Sequence, residues 1–130
     1  MAEQKLPKPI FDFLEGGADD EWTVRQNLKA FKRYPLSTRT LVDIIAINPA
    51  TQILGQEIAW PVMVAPTGAS QLFHPDAEPA VAKAAADAGT LYTLSTMSNT
   101  TLEKVGAATA AAKAFQLYVF RDRQRVESLV

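Results

Sequence analysis

The residues able to do chemistry in this sequence stand in three short stretches: APTGA at 65–69, LSTMS at 94–98 and FQLYVF at 115–120. Pro66, Thr67 and Gly68 offer backbone N–H and C=O groups, and Gly68 with Ala69 lets a flat ring approach closely. Ser95 brings a hydroxyl, and Gln116 an amide that donates and accepts at once. Tyr118 adds a phenol two residues on, hence on the strand face of Gln116. Such a set suits a planar heterocycle. A polar side chain inside a sheet costs about 1–3 kcal/mol when left unpaired, so Gln116 and Tyr118 need partners if their strand is buried.

Taken singly, each feature has a plainer reading. PTG is a common turn, and Ser95 can be a strand-end residue bonding its own backbone. Tyr118 can be a core aromatic whose hydroxyl reaches the surface. His74, in FHPD, reads as a structural residue just before a helix. The functional reading rests on three strand ends being polar and convergent together.

The elements that must position them follow from the hydrophobic pattern. A short helix is expected around Ile10–Glu15, stopped by Gly16 and Gly17 in the left-handed conformation. Asp19 or Asp20 then caps a second helix running to about Tyr34, with Val24, Leu28 and Phe31 at helical spacing. A small hairpin turns near Gly55-Gln56. The apolar run Val62–Ala65, closed by Pro66, suits a strand covered on both faces. Asp76 is an N-cap candidate for a helix ending at Gly89, and TLYTLST is the next strand. Thr100 and Glu103 stand in capping-box spacing at the head of a further helix. Ala107–Ala112 reads as helix end and loop, AFQLYVF as another strand, and RDRQRVESLV as another helix. Strands alternating with helices give consecutive parallel βα units. The expected organisation is a helical lead-in over 1–45, the hairpin over 46–60 and three βα units over 61–130.

A parallel sheet needs cover on both faces, and a (β/α)₈ barrel takes about 250 residues. Three units leave bare strand edges. The last apolar set, Val126, Leu129 and Val130, is uncapped, so the chain reads as the front part of something longer. Composition sets further bounds. A net charge of −1 over 130 residues gives no electrostatic reason to expect a nucleic-acid partner. The absence of cysteine excludes disulfides and thiol catalysis, and the single histidine excludes a multi-histidine metal site. No metal is expected. The N-terminus lacks the apolar core of a signal peptide, and no window approaches the ~18 apolar residues of a membrane span. The expected location is the cytoplasm.

The segments FDFLEGGADDEWTVRQNLKAF, LVD, ILGQEIAWPVMVAPTGASQLFHPDAE, AAADAGTLYTLSTMSNTTLEKV and FQLYVFRDR together resemble the FMN-dependent α-hydroxy acid dehydrogenase/oxidase family. This is the family of glycolate oxidase, L-lactate dehydrogenase and mandelate dehydrogenase. The resemblance runs from about residue 5 to the end. It implies an α/β fold: an N-terminal helical segment and the first three βα units of a TIM (β/α)₈ barrel, incomplete in this chain. It also implies FMN as cofactor, a small 2-hydroxy acid as substrate, and a homo-oligomer for the full-length family member. Peripheral membrane association of that full-length protein is compatible with it. By resemblance Pro66, Thr67 and Gly68 lie against the flavin near its reactive N5, and Ser95 and Gln116 hydrogen-bond the ring system. Tyr118 is similar to a substrate-site tyrosine beside the reacting hydroxyl, and Met97 to a variable pocket-lining position.

Two departures qualify this. Family members commonly carry tyrosine where this chain has Phe13; losing that hydrogen bond to a substrate carboxylate is worth about 1.5–3 kcal/mol. With Met97, it points to an atypical or larger pocket. The histidine base, the arginine clamp, a lysine beside the flavin and the phosphate site of the family all match segments beyond residue 130. His74 belongs to another motif and cannot replace the base. The expectation is an N-terminal piece of a 2-hydroxy acid oxidoreductase, inactive by itself. Alternatives are a non-catalytic remnant binding a partner through open strand edges, and another FMN barrel such as type 2 isopentenyl diphosphate isomerase. DDEWT and FQLYVF favour the hydroxy acid enzymes.

Overall fold

The computed structural model describes residues 2–129. The chain forms two compact units that meet in sequence between Ile47 and Asn48.

The first unit is helical. Helix α1 spans Ala2–Lys5, α2 Lys8–Glu15 and α3 Trp22–Ala30, the last continued by a 3₁₀ turn at Phe31–Arg33. Proline in the first turn of α2 lets it begin earlier than expected, because no N–H is needed there. Gly16 ends α2 in extended backbone, φ −76° and ψ 165°, and not in the left-handed form expected of it. Its N–H closes the helix on Asp12 O at 2.9 Å. What the glycines supply is closeness: a Cβ would stand 2.8 Å from Asp12 O at Gly16, and 2.4 Å from Val24 Cγ2 at Gly17. Left-handed backbone falls instead at Asp19, φ 51°, and at Glu21, φ 59°, the N-cap of α3, while Asp20 Oδ1 accepts the Trp22 N–H at 3.2 Å. Leu28 and Phe31 of the predicted apolar stripe are 72% and 86% exposed.

The second unit opens with a hairpin, β1 at Thr51–Ile53 and β2 at Gln56–Ile58, antiparallel with Ile53 opposite Gln56. Its turn is Leu54-Gly55, one residue earlier than expected. Both residues have positive φ, 50° and 75°, the twist that suits a two-residue hairpin.

The parallel sheet follows. The predicted strand Val62–Ala65 is reduced to a single bridge, Val64 to Tyr92. Pro61 and Pro66 bracket it and have no N–H to give a ladder. Within that gap Val64 N–H reaches Leu91 O at 2.9 Å, and Thr93 N–H reaches Val64 O at 3.1 Å. Strand β3, Tyr92–Ser95, pairs in parallel with β4, Lys113–Gln116, in the register Tyr92 to Lys113 and Ser95 to Gln116. Helix α4, Ala77–Asp87, connects the bridge to β3; α5, Leu102–Ala108, connects β3 to β4; α6 is Arg123–Glu127. Two successive parallel βα connections of an α/β fold are therefore present. Val130, the last of the predicted apolar set in the final helix, lies outside the described residues.

Alternation along β3 sends Tyr92 and Leu94 to the helix side, where they pack with Ala82 and Ala85 of α4 and Val105 of α5. The alanines let the helix sit close. Gly89, φ +66°, ends α4 as expected, and a Cβ there would lie 2.9 Å from Ala59 Cβ. Asp76 occupies the N-cap position of α4, but its side chain makes no capping bond. The cap of α5 is Thr101, accepting the Lys104 N–H at 3.4 Å, and not Thr100. Thr100 is engaged elsewhere, with Glu78.

Candidate functional site

The opposite face of β3 carries Thr93 and Ser95, both buried, and β4 places Gln116 beside Ser95. Ser95 Oγ donates to Gln116 Oε1 at 3.4 Å and accepts the Met97 N–H at 3.1 Å. The Ser95 hydroxyl therefore bonds its own strand end, the plainer of its two expected roles, and it also faces the Gln116 amide, a contact not expected from the sequence. The amide nitrogen of Gln116 has no partner among the described residues.

The third strand end is tied to this pair through the backbone. Ala69 N–H donates to Met97 O at 3.1 Å, with Ala69 in the left-handed region at φ 56°. Gly68 permits that approach. A Cβ on it would lie 2.9 Å from Met97 Cβ and 3.1 Å from Met97 O. Pro66 and Thr67 are exposed ahead of it, and Gly68 is half-buried. So Gly68-Ala69 closes on Met97, and Ser95 faces Gln116, at the carboxyl ends of the parallel strands, the side on which ligands bind in α/β folds.

Tyr118 is placed differently from the sequence expectation. β4 stops at Gln116, so the two-residue alternation that would carry Tyr118 onto the face of Gln116 does not extend to it. It is held instead through its N–H, which donates to Thr96 Oγ1 at 3.0 Å, and its side chain is exposed. Met97 is exposed as well. Phe13 lies on α2 of the first unit with its ring largely exposed. His74 sits in the loop before α4, its Nδ1 accepting the Asp76 N–H at 3.2 Å, which fits its structural reading.

Two residues passed over in the sequence shape this region. Thr96 joins β3 to β4: its N–H donates to Gln116 O at 3.1 Å, and its hydroxyl donates to the same carbonyl. Glu78, in the first turn of α4, is fully buried. Its Oε1 accepts the Asn99 N–H at 3.2 Å and its Oε2 the Thr100 hydroxyl at 2.5 Å, fastening the loop that follows Met97. Burial pushes this carboxyl up, but hydrogen bonds from Thr100, its own and the Asn99 backbone N–H, and Ser98 outweigh burial and hold it below the usual carboxylate range. The sequence signal was a glutamate on the apolar face of an alanine-rich helix.

Polar groups at three parallel strand ends are shared by many barrel enzymes, and comparison with known proteins narrows the field. The pattern that defines FMN-dependent dehydrogenases matches residues 2–130. Glycolate oxidase 3 of Oryza sativa is 45% identical over the whole chain, and glycolate oxidase of Spinacia oleracea 42%. Among solved structures, mandelate oxidase superposes on 98% of the chain with a TM-score of 0.91 at 41% identity. The chain spans about a third of these proteins: 35% of the two glycolate oxidases and 37% of the mandelate oxidase. Sequence pattern and fold agree, and the chain belongs to the FMN-dependent dehydrogenase family, in its α-hydroxy acid dehydrogenase/oxidase branch.

Proposed function

We propose that the chain provides the flavin-facing strand ends, and part of the substrate pocket, of an FMN-dependent enzyme oxidising an L-2-hydroxy acid to a 2-oxo acid. The observation that carries this is the Ser95–Gln116 pair, a buried hydroxyl and an amide at adjacent parallel strand ends, 3.4 Å apart.

The residues present fit such a ring. One sheet face leaves Thr93 Oγ1 buried without a partner among the described residues, and the amide nitrogen of half-buried Gln116 has no protein partner among them. A heterocycle edge with alternating donors and acceptors satisfies an amide of this kind. The Pro66–Ala69 loop supplies main chain, with Gly68 removing the side chain where it closes on Met97. Bound FMN supplies an acceptor for the two electrons and the hydrogen leaving the substrate α-carbon. The chain's own residues orient the partners. Ser95 and Gln116 hold the ring edge, Tyr118 offers its phenol to the reacting hydroxyl, and Met97 lines the pocket as a flexible apolar wall. Phe13 has no hydroxyl to give a carboxylate, and this reading asks none of it.

FMN titration of the chain tests this, followed by visible absorbance and flavin fluorescence. A perturbed flavin spectrum is expected, with weak affinity because the family's phosphate site is not in this segment. Ser95→Ala and Gln116→Leu each reduce the perturbation. An unshifted spectrum at millimolar FMN, or an equal response from the double variant, would refute the reading.

A further inference from the structure

We propose that Thr96 is the positioning residue of this site, a hydroxyl clamp that sets Gln116 and Tyr118 in one fixed relation. The inference rests on the flavin and substrate roles proposed for those two residues.

The ladder between β3 and β4 ends at the pair Ser95 and Gln116. Beyond it the backbone that follows β4 has no strand partner among the described residues, yet the Tyr118 N–H is held. Thr96 Oγ1 accepts the Tyr118 N–H at 3.0 Å and donates its own hydrogen to Gln116 O. The Thr96 N–H reaches Gln116 O at 3.1 Å and Gln116 Oε1 at 3.4 Å. One residue thus touches the main chain before and after Leu117 and the side chain of Gln116. A hydroxyl has one hydrogen to donate and two lone pairs to accept with, so it can serve a carbonyl and an N–H together. Threonine's branched Cβ narrows χ1, so the clamp is already set when the strands meet. Serine supplies the same two bonds with a freer rotor, and valine supplies the shape with neither bond.

That difference makes the test. In uniformly ¹⁵N-labelled chain, amide exchange at Tyr118 is compared with Val119, whose N–H has no partner among the described residues. The wild-type chain should protect Tyr118 at least tenfold over Val119. Thr96→Val should remove that excess while Thr93, earlier in β3, keeps its protection; Thr96→Ser should restore Tyr118 to within about threefold of wild type. Equal exchange at Tyr118 and Val119 in the wild-type chain, unchanged Tyr118 exchange in Thr96→Val, or no recovery in Thr96→Ser would overturn the proposal. The wild-type comparison stands even if Thr96→Val does not fold. FMN titration of the same proteins separates the two claims. A protected Tyr118 without a flavin shift leaves the clamp standing and refutes the flavin role. A flavin shift that is equal in wild type and Thr96→Val shows that the clamp does not position the site.

Discussion

The hydroxyl of Ser95 donates to the side-chain carbonyl of Gln116 at 3.4 Å, across 21 residues of sequence and one helix. The parallel register places the two directly opposite one another, so the pair is set by the β3–α5–β4 connection and not by local sequence. Its length is near the outer limit for such a bond, and the Gln116 nitrogen beside it has no partner among the described residues. An amide held loosely on one side with its donor open is suited to turn toward a ligand.

A double-mutant cycle measures that looseness. Ser95→Ala and Gln116→Leu, singly and together, should show a coupling of about 0.5 kcal/mol in urea unfolding, at the low end for a neutral hydrogen bond. A coupling above about 1.5 kcal/mol would show the pair to be a structural bond, closed to ligands.

Gly68→Ala tests the seam between the first and second strand ends. The new Cβ would meet Met97 Cβ at 2.9 Å and Met97 O at 3.1 Å, so the loop or the end of β3 must shift. Overpacking of this kind costs about 1–3 kcal/mol. The cost should shrink when Gly68→Ala is made on Met97→Gly, because one of the two clashing atoms is gone. Equal costs in both backgrounds would mean the loop moves away freely.

Much of this was legible in the sequence where a local rule governs. Gly89 had to end α4, and alternating strands and helices had to give parallel βα units. The three polar strand ends were visible because their residue types are costly inside a sheet. Misplacements arose where a distant partner decides. Thr100 and Glu103 have capping-box spacing, but Thr100 is drawn off by Glu78 across 22 residues, so Thr101 caps instead. The Val62–Ala65 run is apolar enough for a strand, but flanking prolines leave only Val64 in register. Tyr118 followed strand alternation on paper, and the ladder stops two residues short of it. The roles of Phe13 and Met97 came from family resemblance, because neither residue type implies chemistry by itself.

Glu78 is where removing one atom pair should matter most for the fold. Glu78→Ala strands the Asn99 N–H and the Thr100 hydroxyl, and charge-assisted bonds of this kind are worth about 1.5–3 kcal/mol. The expected loss is therefore about 3 kcal/mol, with Glu78→Gln losing less because one acceptor oxygen survives. The pH dependence has a definite sign. The folded carboxyl titrates below the unfolded value of 4.5, so the unfolded state takes up the proton first as pH falls. The stabilisation is present in full above that value and fades as pH drops through the folded one. Urea midpoints between pH 7 and pH 3 should fall less steeply in Glu78→Gln than in wild type. Parallel slopes would remove Glu78 from the account.

Tyr92 gives the opposite end of the pH scale. Its ring is packed on the helix side of β3, and burial first, then the Glu78 carboxylate, pushes its phenol up from 10.0 to about 12. Between those values the unfolded chain ionises while the folded one keeps its proton, so stability present below pH 10 is lost as pH rises toward 12. Tyrosinate absorbance should therefore show a late step near pH 12 that Tyr92→Phe abolishes. Thermal melts from pH 9 to pH 11.5 should decline less in Tyr92→Phe than in wild type. Because Glu78 is the second cause, Glu78→Gln should bring the late step to lower pH without abolishing it. If the step stays in place in Glu78→Gln, burial alone sets the phenol, and the two residues are independent.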